Sequence, residues 1–344
     1  MSVRALLLSL LAFALPSYAQ QYQERVDVDV VLVDVTVTDS RGNQILGLAP
    51  DDFIVKENGV PQAIESVDYF TNRTLLTSPE EKAAFKVERV REERYLILFF
   101  DEDMREDGQN RLRRAQRDAI EFVRERMKPQ DRVAVAGYDA RLLVYADFTS
   151  DRKILEKALA EVPKFSQGLT RVPEYAGDVS IMRNLEIDAM VKQTGRVYDA
   201  IRMLAEAVRP IQARKVLALF SGGIGEPSSF NARIPENEEV YYQPMLRALN
   251  ASNVTVHAIA LLEDRTFSAR EQTLGRLASE TGGQYYTNVV NFAGPLSRIE
   301  KESSGYYLLT YRIRKPEGEH GYQKIDVSLK NPEFRVRARD GYVY

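Results

Sequence analysis

The sequence predicts an α/β protein: a doubly wound, mostly parallel sheet beside a β-sandwich built from the two ends of the chain. Three observations carry this. Arg94 to Arg105 reads RYLILFFDEDMR, an uninterrupted apolar run that stops abruptly in acids and runs into a helix. Further buried runs alternate with segments of helical periodicity through the middle of the chain, the βαβα order of a parallel sheet. Strand-like alternation without helices is confined to the two ends.

Residues 1–19 read as a signal peptide. Arg4 precedes an apolar stretch from Ala5 to Leu15, followed by Pro16 and the small-residue pattern Ser17-Tyr18-Ala19, the charged, apolar and cleavage regions of an export signal. The stretch is shorter than the roughly 20 residues needed to cross a bilayer.

Residues 24–72 form an N-terminal β segment. Val26 to Thr38 is VDVDVVLVDVTVT, with valines in even phase to Val30 and in odd phase from Val31. That phase change predicts a bulge, or a crossing from one packing face to another. Phe53 to Glu57 is a second strand, Asn58-Gly59 a hairpin turn, and a third strand lies around Ala63 to Tyr69. Residues 73–93 are polar and irregular, a linker or exposed helical stretch.

Residues 94–304 carry the α/β pattern. Tyr95–Phe100, Val133–Tyr138, Val216–Phe220 and Val254–Leu261 are buried strands, and Leu142–Phe148 alternates as an edge strand. Leu112, Ala115, Ala119, Phe122 and Val123 mark one helix face; Val197, Ile201, Leu204 and Val208 a second; Leu274, Leu277 and Ala278 a third. Residues 305–344 return to β character, with strands over Tyr306–Arg314, Lys324–Leu329 and Phe334–Ala338. Neither terminal segment is large enough to be stable alone, so 305–344 is expected to pair with 24–72.

Composition narrows the function. The chain has 344 residues, 44% hydrophobic and 28% charged, with a net charge of −3. Basic residues are interleaved with acids, which provides no concentrated basic face for nucleic acid. Cysteine is absent, which excludes disulfides and a cysteine-linked lipid. No later segment is apolar enough to anchor in a membrane, so an exported bacterial protein, periplasmic or extracellular, is expected.

Candidate chemistry is sparse. His257 falls inside a buried strand, as a satisfied core residue, and His320 in a turn; neither has neighbours suggesting a catalytic triad. No P-loop motif is present, and Ser221-Gly222-Gly223-Ile224-Gly225 reads as a close-packed strand-to-helix turn rather than a dinucleotide fingerprint. The acidic cluster Asp101-Glu102-Asp103, with Glu106 and Asp107, stands at the carboxyl end of a central strand, where ligands of open α/β sheets gather. Carboxylates there suit a hard cation; equally, Asp103 or Asp107 suits the cap of the following helix.

These segments, in this order, resemble the von Willebrand factor A domain, and more closely the exported von Willebrand factor A-related proteins of Acidobacteria. The resemblance covers nearly the whole mature chain: VDVVLVDVTVTDSRGNQILGLAPDDFIVKENGVPQAI, LILFFDEDMR, DRVAVAGYDARLLVYADFT, GRVYDAIRMLAEAV, VLALFSGG and LASETGGQYY ahead of YYLLTYRI. It implies a doubly wound domain that binds macromolecules, often through a metal ion–dependent adhesion site built from Asp-x-Ser-x-Ser, a second-loop Thr and a third-loop Asp. Asp101 matches the first position. Asp103 and Arg105 stand at the serine positions, Gly222 where the third-loop Asp falls, and Thr194 one residue from the second-loop Thr. The metal set is therefore Asp101, Asp103 and Thr194 in degenerate form, with no cofactor beyond weakly held Mg²⁺ or Ca²⁺. Arg105, always charged, either neutralises Asp101 or Asp103 from within or points to solvent.

The function expected is non-catalytic recognition of a protein or envelope surface through a loop face of Asp101, Arg105, Thr194, Gly222 and Gly223. An envelope hydrolase using Asp101–Asp103, or a structural role in envelope assembly, are the alternatives.

Overall fold

The computed structural model describes residues 26–71, 93–102, 106–163, 179–186, 190, 196–211, 213–224, 238–261, 269–316 and 321–343. Its strands are β1 (Val26–Thr38), β2 (Phe53–Glu57), β3 (Val60–Gln62), β4 (Ile64–Thr71), β5 (Arg94–Asp101), β6 (Asp131–Tyr138), β7 (Leu142–Thr149), β8 (Lys215–Ser221), β9 (Val254–Ala260), β10 (Tyr285–Tyr286), β11 (Gly305–Pro316), β12 (Tyr322–Leu329), β13 (Arg335–Ala338) and β14 (Gly341–Val343). The helices are α1 (Glu106–Glu125), α2 (Arg152–Glu161), α3 (Val197–Val208), α4 (Gln243–Ala251), α5 (Ala269–Glu280) and α6 (Ala293–Glu302).

The central sheet has the order β10-β9-β8-β5-β6-β7. It is parallel from β10 to β6, and β7 returns antiparallel along β6 at one edge. Every residue of β5 is buried because helices cover both faces. Tyr95, Ile97 and Phe99 enter one hydrophobic cluster with α3, α4 and α5. Leu96, Leu98 and Phe100 enter a second with α1, α2 and α6. Each such large apolar side chain stabilises the fold by about 1.5–3 kcal/mol relative to exposure. The helical faces are those of the periodicity: Leu112, Ala115, Ala119 and Val123 are fully buried, as are Ile201, Leu274 and Leu277.

Strands from the two chain ends form two four-stranded antiparallel sheets, β13-β1-β11-β4 and β14-β12-β2-β3. β11 lies between β1 and β4, and β12 pairs with β2. Val31, Val33, Val35, Leu309 and Tyr311 from one sheet share a buried cluster with Phe53, Val55 and Ile325 from the other. The turn between β2 and β3 needs left-handed backbone at Asn58 (φ 48°) and Gly59 (φ 82°), which those residues tolerate best.

The phase change in β1 does not mark a bulge. Its register with β11 runs unbroken from Val26↔Pro316 to Val35↔Tyr307, and the shift falls instead between β11 and β4 at Thr310/Tyr311. Odd residues from Val31 onward face the shared cluster, while even-phase Val30 and Leu32 stay outside, 55% and 49% exposed.

The amino ends of the parallel strands meet the antiparallel sheets across a polar junction. Arg94 opens β5 and is buried against Asp131, with its guanidinium also reaching the Glu300 carbonyl and Ser303 hydroxyl. Asn253 donates to Asp34 at 2.8 Å, Arg339 donates to the carbonyls of Asn250 and Leu32, and Arg337 pairs with Glu302 at 2.6 Å. Lys215, fully buried at the start of β8, donates from Nζ to the carbonyls of Ile211 and Ala213 past the end of α3, where the helix dipole favours a cation.

His257 is buried in β9 but not satisfied: its Nδ1 has no hydrogen-bond partner. Burial first, then Arg337 and Arg214, hold its imidazole well below the ordinary histidine value. His320 and residues 73–92 of the expected linker lie outside the described residues.

Two expectations follow from these contacts. A chain ending at Gly305 removes β11's ladder, so amides of Val31, Val33 and Val35 lose their hydrogen-exchange protection; retained protection shows β1 stable without β11. Burial lowers the Lys215 ammonium to about 8, with Asp34 opposing, against an ordinary 10.5. Below about 8 the lysine is charged in both states. Between there and 10.5 the native state releases its proton first, so the unfolded state binds more protons and stability rises with pH. Urea midpoints of wild type and Lys215→Met, compared from pH 7 to 9.5, should show that rise only in the wild type.

Candidate functional site

The carboxyl ends of β5, β6 and β8 place the candidate residues. Phe100 pairs with Gly137 on one side and Phe220 on the other, and the two phenylalanine rings stack at 4.8 Å beneath the site. The next residue along β5 is Asp101, 3% exposed. Its Oδ2 accepts a hydrogen bond of 2.6 Å from the Ser221 hydroxyl at the end of β8. The Ser221 oxygen in turn accepts from the Gly223 N–H at 3.0 Å, and its backbone carbonyl from Leu261 N–H at 2.9 Å. One serine thus ties the ends of β5, β8 and β9 together. Gly223 has φ 124°, a conformation that L side chains rarely adopt.

Glu102, 2% exposed, belongs to the other side of the same strand end. Its N–H continues the ladder to the Tyr138 carbonyl at 2.7 Å, and its carboxylate accepts from the Tyr145 hydroxyl of β7. Gly137 makes room for this: a Cβ there would lie 2.7 Å from the Phe100 carbonyl oxygen and 3.1 Å from Glu102 Oε1. Two adjacent carboxylates are therefore buried back to back, one serving β8 and one β7. Each such buried hydrogen bond contributes about 0.5–1.5 kcal/mol net.

Around this centre lie the β6–β7 turn, with Ala140 at φ 55° and the Asp139 N–H bonded to the Arg141 carbonyl, and the start of α3. There the Arg196 guanidinium sits 4.4 Å over the Tyr241 ring, which stacks with Tyr198. Deeper on β7, Asp147 accepts from the Ser180 hydroxyl and from the N–H groups of Phe148, Ile181 and Met182, fixing the segment that begins at Val179.

Of the residues singled out in the sequence, Asp101, Gly222 and Gly223 come together through Ser221. Asp103, Arg105 and Thr194 lie outside the described residues. Ser221 was read only as part of a turn and Glu102 only as part of the acidic cluster, so the Asp101–Ser221 and Glu102–Tyr145 pairs were missed. The signal for Ser221 was its place as the last residue of a buried strand beside β5; nothing local to Tyr145 pointed to Glu102. Among the described residues no group of three or more acidic or imidazole side chains gathers at one point. Among the described residues, Asp101 accepts from the Ser221 hydroxyl, and that hydroxyl accepts from the Gly223 amide. No described helix is long and apolar enough to cross a membrane.

No family model matches the sequence, and no curated protein matches it. Solved structures similar in part include the human COPII-coat protein Sec24c (TM-score 0.40, 13% identity, 73% of this chain and 43% of that one). An aerotolerance-related membrane protein from Bacteroides fragilis has TM-score 0.41 at 14% identity, over 61% of this chain and 98% of that one. BatB from Bacteroides thetaiotaomicron has TM-score 0.39 at 14% identity, over 61% and 96%. The chain spans less than half of the Sec24c chain. Likeness at this level carries no argument about function.

Removing the Ser221 hydroxyl leaves the buried Asp101 carboxylate short of a donor. Ser221→Ala is expected to lower unfolding free energy by about 0.5–1.5 kcal/mol in urea titration, the net contribution of one buried hydrogen bond; no measurable change would show that the bond contributes nothing.

Proposed function

We propose that this is an exported, non-catalytic protein of von Willebrand factor A-like build that recognises a protein or envelope surface. Recognition uses the loop face at the carboxyl ends of the central strands through Arg105 and Thr194, whereas Asp101, Gly222 and Gly223, which the sequence placed on that face, are buried and support it without meeting a partner. The antiparallel sheets, read as one sandwich made from both chain ends, hold the opposite end of the central sheet. The observation that carries this reading is the strand-end arrangement itself. Asp101 and Glu102 are both engaged by hydroxyl donors in the protein's own framework, so they brace the loops rather than present a free acid or base. The described histidine, His257, stands in mid-strand opposite Ala218 and not at this end, which favours binding over hydrolysis.

The test is cosedimentation of purified protein with cell envelopes of the producing organism. Wild type should pellet with envelopes, Arg105→Glu and Arg141→Glu on the loop side should remain in the supernatant, and Arg312→Glu on the far sheet should behave as wild type. Equal pelleting of all four would overturn the loop-face reading.

Metal, in this reading, is not needed. Calorimetric titration with Mg²⁺ or Mn²⁺ should give no micromolar binding; such binding, lost in Asp101→Ala, would show an ion-dependent site instead.

A further inference from the structure

We propose that the junction between the central sheet and the antiparallel sheets is a binding site for one water molecule, which bridges the Asn250 side-chain carbonyl of α4 to the Arg339 Nε–H between β13 and β14. A cavity of about 10 Å³ lies at this point, with Asp34 of β1, Arg214, Asn253 and Thr281 also on its wall. That is room for a single water, which needs about 10–15 Å³ and two to four polar partners.

Two buried polar atoms on the residues of that wall lack a partner in the protein, Asn250 Oδ1 and Arg339 Nε. Neither side chain can turn away to find one. Asn250, 1% exposed, donates from Nδ2 to the Glu280 carbonyl at 3.3 Å. A carbonyl accepts only, so this contact also fixes which end of the amide is Oδ1. Arg339 is held at its other two nitrogens, by the Asn250 carbonyl at 3.0 Å and the Leu32 carbonyl at 2.7 Å. The remaining polar groups of the wall are engaged. The Thr281 hydroxyl donates to the Leu277 carbonyl at 2.7 Å and accepts from the Val256 N–H at 3.0 Å. Arg214 reaches the hydroxyls of Thr255 and Thr36.

The two atoms are of opposite kind, and this selects the occupant. Arg339 Nε–H is a donor and Asn250 Oδ1 an acceptor, so the bound group must accept on one side and donate on the other. A small anion would satisfy the guanidinium but meet Oδ1 and the Asp34 carboxylate; a cation would satisfy those oxygens but meet Arg339 and Arg214. A neutral molecule of water size meets both demands. Its second hydrogen has Asp34 within the same wall. That carboxylate accepts from Asn253 at 2.8 Å through Oδ2 and has further lone pairs to offer. The water therefore contacts β1, α4 and the β13–β14 turn at once, and joins the antiparallel sheets to the α/β part where Arg339 already crosses.

A high-resolution crystal structure of the full chain tests this without any substitution. Density for one water should appear within hydrogen-bond distance of both Asn250 Oδ1 and Arg339 Nε. In solution, water-oxygen magnetic relaxation dispersion counts internal waters of long residence time. Asn250→Leu removes the acceptor and places methyl groups in the cavity, and should lower that count by one relative to wild type. A cavity without density, density for an ion in place of water, either atom found bonded directly to another protein group, or an equal count in a folded Asn250→Leu would each overturn the proposal. If Asn250→Leu does not fold, the wild-type crystal structure decides alone.

Discussion

Ten consecutive antiparallel pairs between β1 and β11 hold the two ends of the chain in one sheet, and much else depends on them. β11 is central, with β4 on its other side, so the sheet cannot form until residues 272 to 290 positions apart in sequence have met. That order of assembly is costly in loop-closure entropy, and the return is a cluster in which Val33, Val35, Leu309 and Tyr311 exclude solvent completely. The intervening α/β region supplies the means, since α6 ends at Glu302 and β11 begins at Gly305 with almost no slack.

The junction between the two parts is polar, and its polarity fixes orientation. Arg337 and Arg339 bridge the two parts through an ion pair to a carboxylate and hydrogen bonds to carbonyls, geometry that a planar guanidinium satisfies and an apolar contact would not specify. Because these anchors all lie at or near the amino ends of the parallel strands, the antiparallel sheets occupy that end of the central sheet. The carboxyl ends, with Asp101 and Ser221, are left to the loops.

The class of the fold was legible because burial on both faces leaves an unmistakable record: VLALF and YLILFF have no polar interruption, and the spacing of Leu112, Ala115 and Ala119 repeats with the helix. The even valines of β1 misled for a physical reason. Alternation reports a difference between two faces but not which is covered, and Val30 and Leu32 are apolar residues left in solvent. His257 misled in the opposite sense: burial was readable, but the lack of a partner for Nδ1 depends on remote side chains, Tyr286 of β10 stacked on the ring and Arg337 of β13 near it, that no local pattern announces. The candidate site was legible as an address. The acid at the end of β5 could be found from sequence, whereas the hydroxyl that holds it comes from β8, 120 residues away.

That distance explains the logic of the strand end. A parallel strand delivers its last residue to a place where neighbours from remote sequence also end, so a carboxylate there is stable only if one of them supplies a donor. Asp101 takes Ser221 and Glu102 takes Tyr145, with Gly137 conceding the volume that Glu102 occupies. Removing either donor takes one hydrogen bond from a buried acid at a strand end. Each pair therefore constrains both of its strands, and the loops beyond β5 and β8 start from a rigid base. Such a base suits surface recognition, because contact residues held on a fixed framework lose less entropy when they meet a partner.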